Sequence, residues 1–152
     1  ECISALCQAR PDVYNHNIET VERLTPQVRS NADYRRSLRV LQLVKQMDAP
    51  TTTKSGLMIG LGETNEEIER SLSDLHGAGC QIVTIGQYLQ PSKEHWPVAR
   101  YYTPEEFGAL AAKAKSMGFK AVAAGPFVRS SYNAGEVFAS TAGRPSKETT
   151  KR

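Results

Sequence analysis

Apolar positions along the chain alternate between two periods. Short apolar or alternating runs stand between stretches whose apolar residues fall three and four apart, the respective signatures of strands and amphipathic helices. DVYNHNIE (Asp12–Glu19) reads as a strand. Ala32–Met47 reads as a helix with Tyr34, Leu38, Leu41, Val44 and Met47 on one face. TKSGLMIGL (Thr53–Leu61) is a second strand, and Thr64–Gly77 a second helix striped by Ile68, Leu72 and Leu75. Thr64 and Glu67 make its start a capping box. QIVTIGQYL (Gln81–Leu89) is a third strand. Pro104–Met117 is a third helix, with Phe107, Leu110, Ala111 and Ala114 inward and Gly118 as its stop. KAVAAGPFV (Lys120–Val128) is a fourth strand, and the polar chain beyond Val137 is expected to be disordered.

Strand and helix in alternation predict parallel strands joined by crossovers, hence an α/β fold. A doubly wound sheet and a section of a (β/α) barrel both fit. In either, ligands meet the C-terminal strand ends. The polar residues of this chain gather at those ends: Asn15, His16, Asn17 and Glu19, then Gly60, Gly62 and Glu63, then Gln87, Tyr88 and Gln90, then Arg129 to Tyr132. Together they describe the rim of one polar cavity.

Composition narrows the classes. The chain has 152 residues, 39% hydrophobic and 23% charged, ordinary for a globular domain. Lacking an apolar run of about 18 residues, the sequence predicts no membrane partner. The opening ECISALCQARPD resembles neither a signal nor a transit peptide, and reads as the end of a helix within a longer protein. The formal charge of +3 equals that of the tail alone, where Arg144, Lys147, Lys151 and Arg152 face Glu148. The remainder is neutral, so no basic face for nucleic acid is predicted. The cysteines are Cys2, Cys7 and Cys80, an odd number that argues against a disulfide framework. Cys2 and Cys7 would stand about 140° apart on a helix and do not converge on a metal. Cys80, at a strand entrance, reads as a small core residue.

GLMIGLGET places G-x-G between a strand and a helix, but Asn65 stands where a dinucleotide fingerprint has its third glycine. Glu63, Glu66 and Glu67 suit the positive helix end and would repel a pyrophosphate there. The glycines suit a tight turn or the close approach of an uncharged or cationic group, such as a nucleoside. Along NHNIE, Asn15, Asn17 and Glu19 should share one strand face, His16 and Ile18 the other. His16 reads as a hydrogen-bonded strand residue rather than a base. No local motif is a complete active site.

Five blocks then fall in a familiar order: PDVYNHNIETVERL, VRSNADYRRSLRVLQLVK, TKSGLMIGLGET, TIGQYLQPSKEHWPVARYYTPEEF and GPFVRSSYNAG. Over roughly Cys7 to Gly135 the chain resembles the C-terminal half of the lipoyl synthase family, radical S-adenosylmethionine enzymes. The resemblance implies the second half of an incomplete parallel (β/α)6 barrel over residues 1–128. Residues 129–152 would be a C-terminal extension with the RSSY motif and a disordered basic tail. It implies two 4Fe–4S clusters in the full-length protein, one radical-generating and one auxiliary, with S-adenosyl-L-methionine as cofactor. The implied reaction inserts sulfur at C6 and C8 of an octanoyl chain held on a lysine of a carrier domain. That carrier is the E2 subunit of a 2-oxoacid dehydrogenase or the H protein of glycine cleavage, and a reducing electron donor is also implied. The cysteine triplets that hold the clusters are absent here: the auxiliary pattern C-x4-C-x5-C meets Val13 at its third position. The fragment alone is therefore expected to be inactive.

By the same resemblance, Ser131 is the serine that ligates the auxiliary cluster, with Ser130 as the alternative; Arg129 and Tyr132 support it. Oxygen is a poorer partner for iron than thiolate, which suits an iron that must be released. Gly56 to Glu63 resembles the GxIxGxxE motif, with Met58 replacing the isoleucine. Asn17, Glu19, Arg29, Met58 and Gly60 are the candidate cofactor contacts. Gln87, Tyr88, Gln90 and His95 line the acyl-lysine path or fasten the rim. With no targeting signal in the sequence, a monomer in the cytoplasm is expected, or one in a mitochondrion or plastid if the source is eukaryotic. The alternative from another class is a non-catalytic α/β domain that binds a small molecule or a partner. A phosphate-binding barrel enzyme is disfavoured by the acidic start of the second helix.

Overall fold

A computed structural model describes residues 2–9, 11–47 and 50–129 of the chain. Among them the order is α1 (Cys2–Gln8), β1 (Val13–Asn15), a 3-10 turn (Glu22–Leu24), α2 (Thr25–Val28), α3 (Tyr34–Met47), β2 (Thr52–Ile59), α4 (Asn65–Gly77), β3 (Ile82–Gln87), α5 (Pro104–Ser116) and β4 (Ala121–Gly125). The strands form one parallel sheet in chain order, each joined to the next through a helix. The protein is α/β, in keeping with a section of a radical SAM (β/α) barrel.

Alternation along β2 and β3 gives this sheet two faces. Leu57, Ile59, Val83 and Ile85 pack against Leu38 and Leu41 of α3, Ile68, Leu72 and Leu75 of α4, and Phe107 of α5. Each such side chain contributes about 1.5–3 kcal/mol on full burial. The residues of opposite parity, Gly56, Met58, Thr84 and Gly86, line a cavity on the concave side. A second apolar cluster, Val21, Leu24, Leu61 and Tyr88 with Trp96 and Val98 packed on it, closes the C-terminal end of the sheet.

The helices start where the sequence marks them. Thr64 accepts from Glu67 N, and the Glu67 carboxylate returns to Thr64 N. Thr103 and Glu106 repeat that box before Pro104. α3 begins at Tyr34 rather than Ala32, because Asp33 Oδ1 accepts from Arg36 N at 2.7 Å and acts as the cap. Tyr34, Leu38, Leu41 and Val44 are buried as expected, but Met47 is 51% exposed at the last helical turn.

The largest departure lies at Asp12–Glu19. The regular strand stops at Asn15, and His16 N still donates to Lys54 O at 3.0 Å. Ile18 N then donates to the Ser55 hydroxyl, a side chain where a ladder carbonyl would be. Glu19 rejoins β2 by a bridge to Leu57, with φ at 67°. Ile18 enters the core, Asn17 and Glu19 turn to the concave cavity, and Asn15 is exposed. Smaller differences have local causes. β4 ends at Gly125 because Pro126 has no N–H for the ladder. The turn and α2 between residues 22 and 28 are too short to show a period. Cys7 is free and half-buried on α1, and Cys80 is buried. Residues beyond Val137, called disordered above, lie outside the described residues.

Replacing Thr103 by Ala removes the α5 cap and is expected to lower stability by about 1 kcal/mol. Urea unfolding of the parent, Thr103→Ala and Thr103→Ser checks it: serine should recover most of the loss, and equal midpoints for all three would refute the cap.

Candidate functional site

The concave cavity has a volume of about 180 Å³ and is lined by Asn17, Glu19, Met58, Thr84, Gly86 and Arg129, among others. Complete small-molecule pockets span about 300–1,000 Å³. This cavity is smaller than that range.

Its polar groups are held unusually. Glu19 sits in the left-handed region at φ 67°, a conformation that costs a non-glycine residue about 1–3 kcal/mol. Two backbone bonds fix it there, Glu19 N to Gly56 O at 3.0 Å and Met58 N to Glu19 O at 2.8 Å. Its carboxylate accepts from Asn17 Nδ2 at 3.3 Å and lies 3.7 Å from the Arg29 guanidinium. Asn17 Oδ1 is buried and has no hydrogen-bond partner among the described residues. A buried amide oxygen left unpaired costs about 1–3 kcal/mol, so it points to a missing donor. A Cβ at Gly56 would stand 3.2 Å from that oxygen and 2.6 Å from the Thr84 hydroxyl. The glycine thus opens the wall where Asn17 enters it.

A larger cavity of about 500 Å³ adjoins, lined by His16, Arg29, Asn31, Asp33, Arg36 and neighbours. His16 faces it beside Arg29. Burial first, then the Arg29 charge, pushes the imidazole below its ordinary value, and Glu19 offsets part of this.

Above the wall, the turn after β2 is clamped by Glu63. This carboxylate is only 8% exposed. It accepts from Gly60 N at 2.6 Å, Leu61 N at 2.9 Å and the Tyr102 hydroxyl at 3.1 Å. Burial, then the Glu63 charge, pushes the Tyr102 phenol up to about 12, so it remains a donor. Arg100 lies 4.1 Å over the Tyr102 ring. Gln87 completes the clamp, accepting from Tyr102 N and donating to the carbonyls of Tyr88 and Arg100 at 3.0 Å each.

The structure brings Asn17, Glu19, Met58 and Arg129 together on one wall, with Gln87 at its edge. Arg29 reaches it through Glu19. Gly60 does not line the cavity. Its φ of 103° makes the turn, and its Cα faces Gln87 and the Arg100 carbonyl. Tyr88, Gln90 and His95 also stand away from it and tie down the loop after β3. Tyr88 donates to Trp96 O at 2.7 Å, Gln90 to His95 O at 2.8 Å, and His95 Nδ1 meets the Ser92 hydroxyl at 2.8 Å. Trp96 in turn donates to Leu61 O. Ser130, Ser131 and Tyr132 lie outside the described residues.

Thr84, Gly86 and Tyr102, the partner of Glu63, were not singled out from sequence as members of this site. Parity with Gly56 along adjacent strands was the available signal for the first two. Tyr102 gave none, since 39 residues separate it from Glu63.

The fold is in keeping with a section of a radical SAM (β/α) barrel, and residues 1–75 match the family model described as "Radical SAM superfamily". Within that class the chain is related to the lipoyl synthases. It is 57% identical over 135 residues to "Lipoyl synthase 2" of Gloeobacter violaceus, covering 89% of this chain and 47% of that protein. It is 54% identical over 136 residues to "Lipoyl synthase" of Rubrobacter xylanophilus, covering 90% and 42%. It is 55% identical over 136 residues to "Lipoyl synthase" of Caldicellulosiruptor saccharolyticus, covering 90% and 48%. The chain spans about half the length of the curated relatives it matches.

The lowered His16 value carries a pH dependence. The folded state prefers neutral imidazole, so the stabilisation is full above the unfolded value near 6.5 and is lost as pH falls through the folded value. NMR titration should find His16 below 6.5, raised in Arg29→Gln and lowered further in Glu19→Gln. A His16 value indifferent to both charges would refute the arrangement.

Proposed function

We propose that this chain is the C-terminal half of the catalytic unit of a lipoyl synthase, which inserts sulfur at C6 and C8 of a protein-bound octanoyl-lysine. The similarity over about nine-tenths of the chain to proteins named lipoyl synthase carries the reading. The alternative of a non-catalytic binding domain predicts none of that correspondence.

The wall fits S-adenosylmethionine in its chemistry. The orphaned Asn17 oxygen is suited to a hydroxyl or amino donor, and the Glu19 carboxylate to a ribose diol or an ammonium group. Met58 offers an apolar contact on the same wall, and Arg29 a guanidinium suited to a carboxylate. When bound beside a reduced iron–sulfur cluster, this cofactor supplies the hydrogen-abstracting chemistry that an unactivated alkyl carbon requires. The chain's own groups bind and orient it. Glu19, held in its costly conformation from both sides, is pre-organised for that task.

The described residues do not fit an iron–sulfur cluster. No group of three or more His, Cys, Asp or Glu among them is placed to hold a metal. The Cys80 thiol is buried against the carbonyl of Ile82 and pushed up to about 12, chiefly by burial, so it is no thiolate. The reading therefore takes both cysteine triplets from sequence outside this chain. Within the chain it takes Ser131, or alternatively Ser130, as an oxygen ligand to the auxiliary cluster. Arg129 on the cavity wall and Tyr132 support that ligand. The reading also requires an octanoylated carrier domain and an electron donor as partners.

The test uses the full-length polypeptide that carries this segment. Reconstituted with iron and sulfide, it should hold about eight irons, the sum of two four-iron clusters. Ser131→Ala should lower lipoyl formation about tenfold or more while cofactor cleavage stays near parent. A chain that binds only one cluster, or equal product from parent and variant, would overturn the reading.

A further inference from the structure

From residue 88 to residue 103 the connection between β3 and α5 has neither helix nor strand. Irregular connections longer than about 12–15 residues are uncommon in compact domains and usually functional. This one is tied down along its backbone. Gly60 O accepts from Ala99 N at 2.8 Å. Gln87 Nε2 donates to Arg100 O, and Gln87 Oε1 accepts from Tyr102 N, each at 3.0 Å. Nearer the middle, Trp96 donates to Leu61 O at 2.9 Å. The connection is a strap fastened across the ends of β2 and β3.

Gln87 stands where strap and cavity meet. It is 5% exposed and borders the cavity. An amide side chain has two N–H donors and two acceptor sites. Both donors of Gln87 are occupied within the chain, by Tyr88 O and Arg100 O, and one acceptor site by Tyr102 N. No donor is left for a ligand, so the amide serves the strap. Its other side lies against Gly60, where a Cβ would collide with Gln87 Nε2 and the Arg100 carbonyl oxygen.

The strap in turn backs the cavity wall. Trp96 and Val98 pack on the cluster of Val21, Leu24, Leu61 and Tyr88, and Met58 packs there as well. Met58 also lines the cavity. Val21 follows Glu19 by two residues. Met58 and the Glu19 segment therefore rest on one apolar layer, which the strap completes.

We propose that Gln87 is a positioning residue: by tying the strap to the end of β3, it fixes the layer behind Met58 and Glu19 and so sets the wall against bound S-adenosylmethionine. This inference rests on the reading of the cavity as that cofactor's site. Cofactor binding and strap closure are then linked, and linkage is reciprocal. A ligand on the wall steadies the strap, whose residues are not among those lining the cavity. A loosened strap weakens the ligand.

Anaerobic calorimetry and hydrogen exchange on the reconstituted full-length protein test this, comparing the parent with Gln87→Met and Gly108→Ala. Methionine keeps the reach of the side chain and removes its hydrogen bonds. Gly108 lies on α5 with open space around a built Cβ, and its variant should match the parent. In the parent, S-adenosylmethionine should slow exchange at the amides of Ala99 and Tyr102. Gln87→Met should bind the cofactor about fivefold or more weakly, and the cofactor-dependent slowing should vanish. A merely structural glutamine would lower stability yet leave affinity and that slowing as in the parent, and this result overturns the proposal. So does exchange that ignores the cofactor in the unaltered protein, a measurement that needs no variant to fold. A parent that binds no S-adenosylmethionine overturns the cofactor reading and this inference with it. A parent that binds it, matched by Gln87→Met, leaves that reading intact and removes only the role of Gln87.

Discussion

β2 and β3 lie side by side, parallel and almost wholly buried, and the rest of the chain is arranged around that pairing. A parallel pair cannot be closed by a hairpin. Each strand must be followed by a helix that returns the chain to its starting edge, and every strand then ends on the same side. Apolar residues of one parity take the helices. Toward the strand ends the other parity offers Gly56, Thr84 and Gly86 beside Met58, which leaves the concave face open. Core and cavity are two consequences of one alternation, separated by the thickness of a single sheet.

The buried carboxylate of Glu63 shows how the loops at the strand ends are held in place. Gly60 N and Leu61 N leave the sheet just where no further strand can accept them. Glu63 accepts both and takes the Tyr102 hydroxyl as well. Gln87 binds the backbone on either side of the following loop, and Trp96 donates to Leu61 O from within it. The long connection between β3 and α5 is thereby fastened to the turn after β2. Acidic residues that a sequence motif would assign to a ligand serve the backbone instead. Glu67, likewise, closes its own cap and pairs with Arg23 at 2.7 Å.

Different forces hold the wall of the concave cavity. Glu19 keeps an uncommon backbone conformation through two hydrogen bonds to β2, and Asn17 buries an oxygen that nothing among the described residues satisfies. Both features lower stability, and both lie on the concave side rather than in the core. The strain at Glu19 and the unmet oxygen of Asn17 meet at one wall, as at sites shaped for a ligand. The chain's similarity to the lipoyl synthases gives that wall its context.

Much was legible from residue order alone. The helical stripes of Tyr34, Leu38, Leu41 and Val44, and of Ile68, Leu72 and Leu75, reflect a local period that burial enforces. The capping box at Thr64, and the end of α5 before Gly118, follow from backbone groups that must find partners within a turn. These are interactions between near neighbours, so sequence spacing encodes them. Tertiary structure alone decided the rest. The strand through Asp12–Glu19 broke because Ser55, thirty-seven residues away, presented a hydroxyl to Ile18 N. Gly60 proved to be a turn residue packed against Gln87, while Gly86 became a seat for the Val128 backbone. A glycine in a sequence shows only that space is needed, and what fills the space depends on which distant segment the folded sheet brings to it.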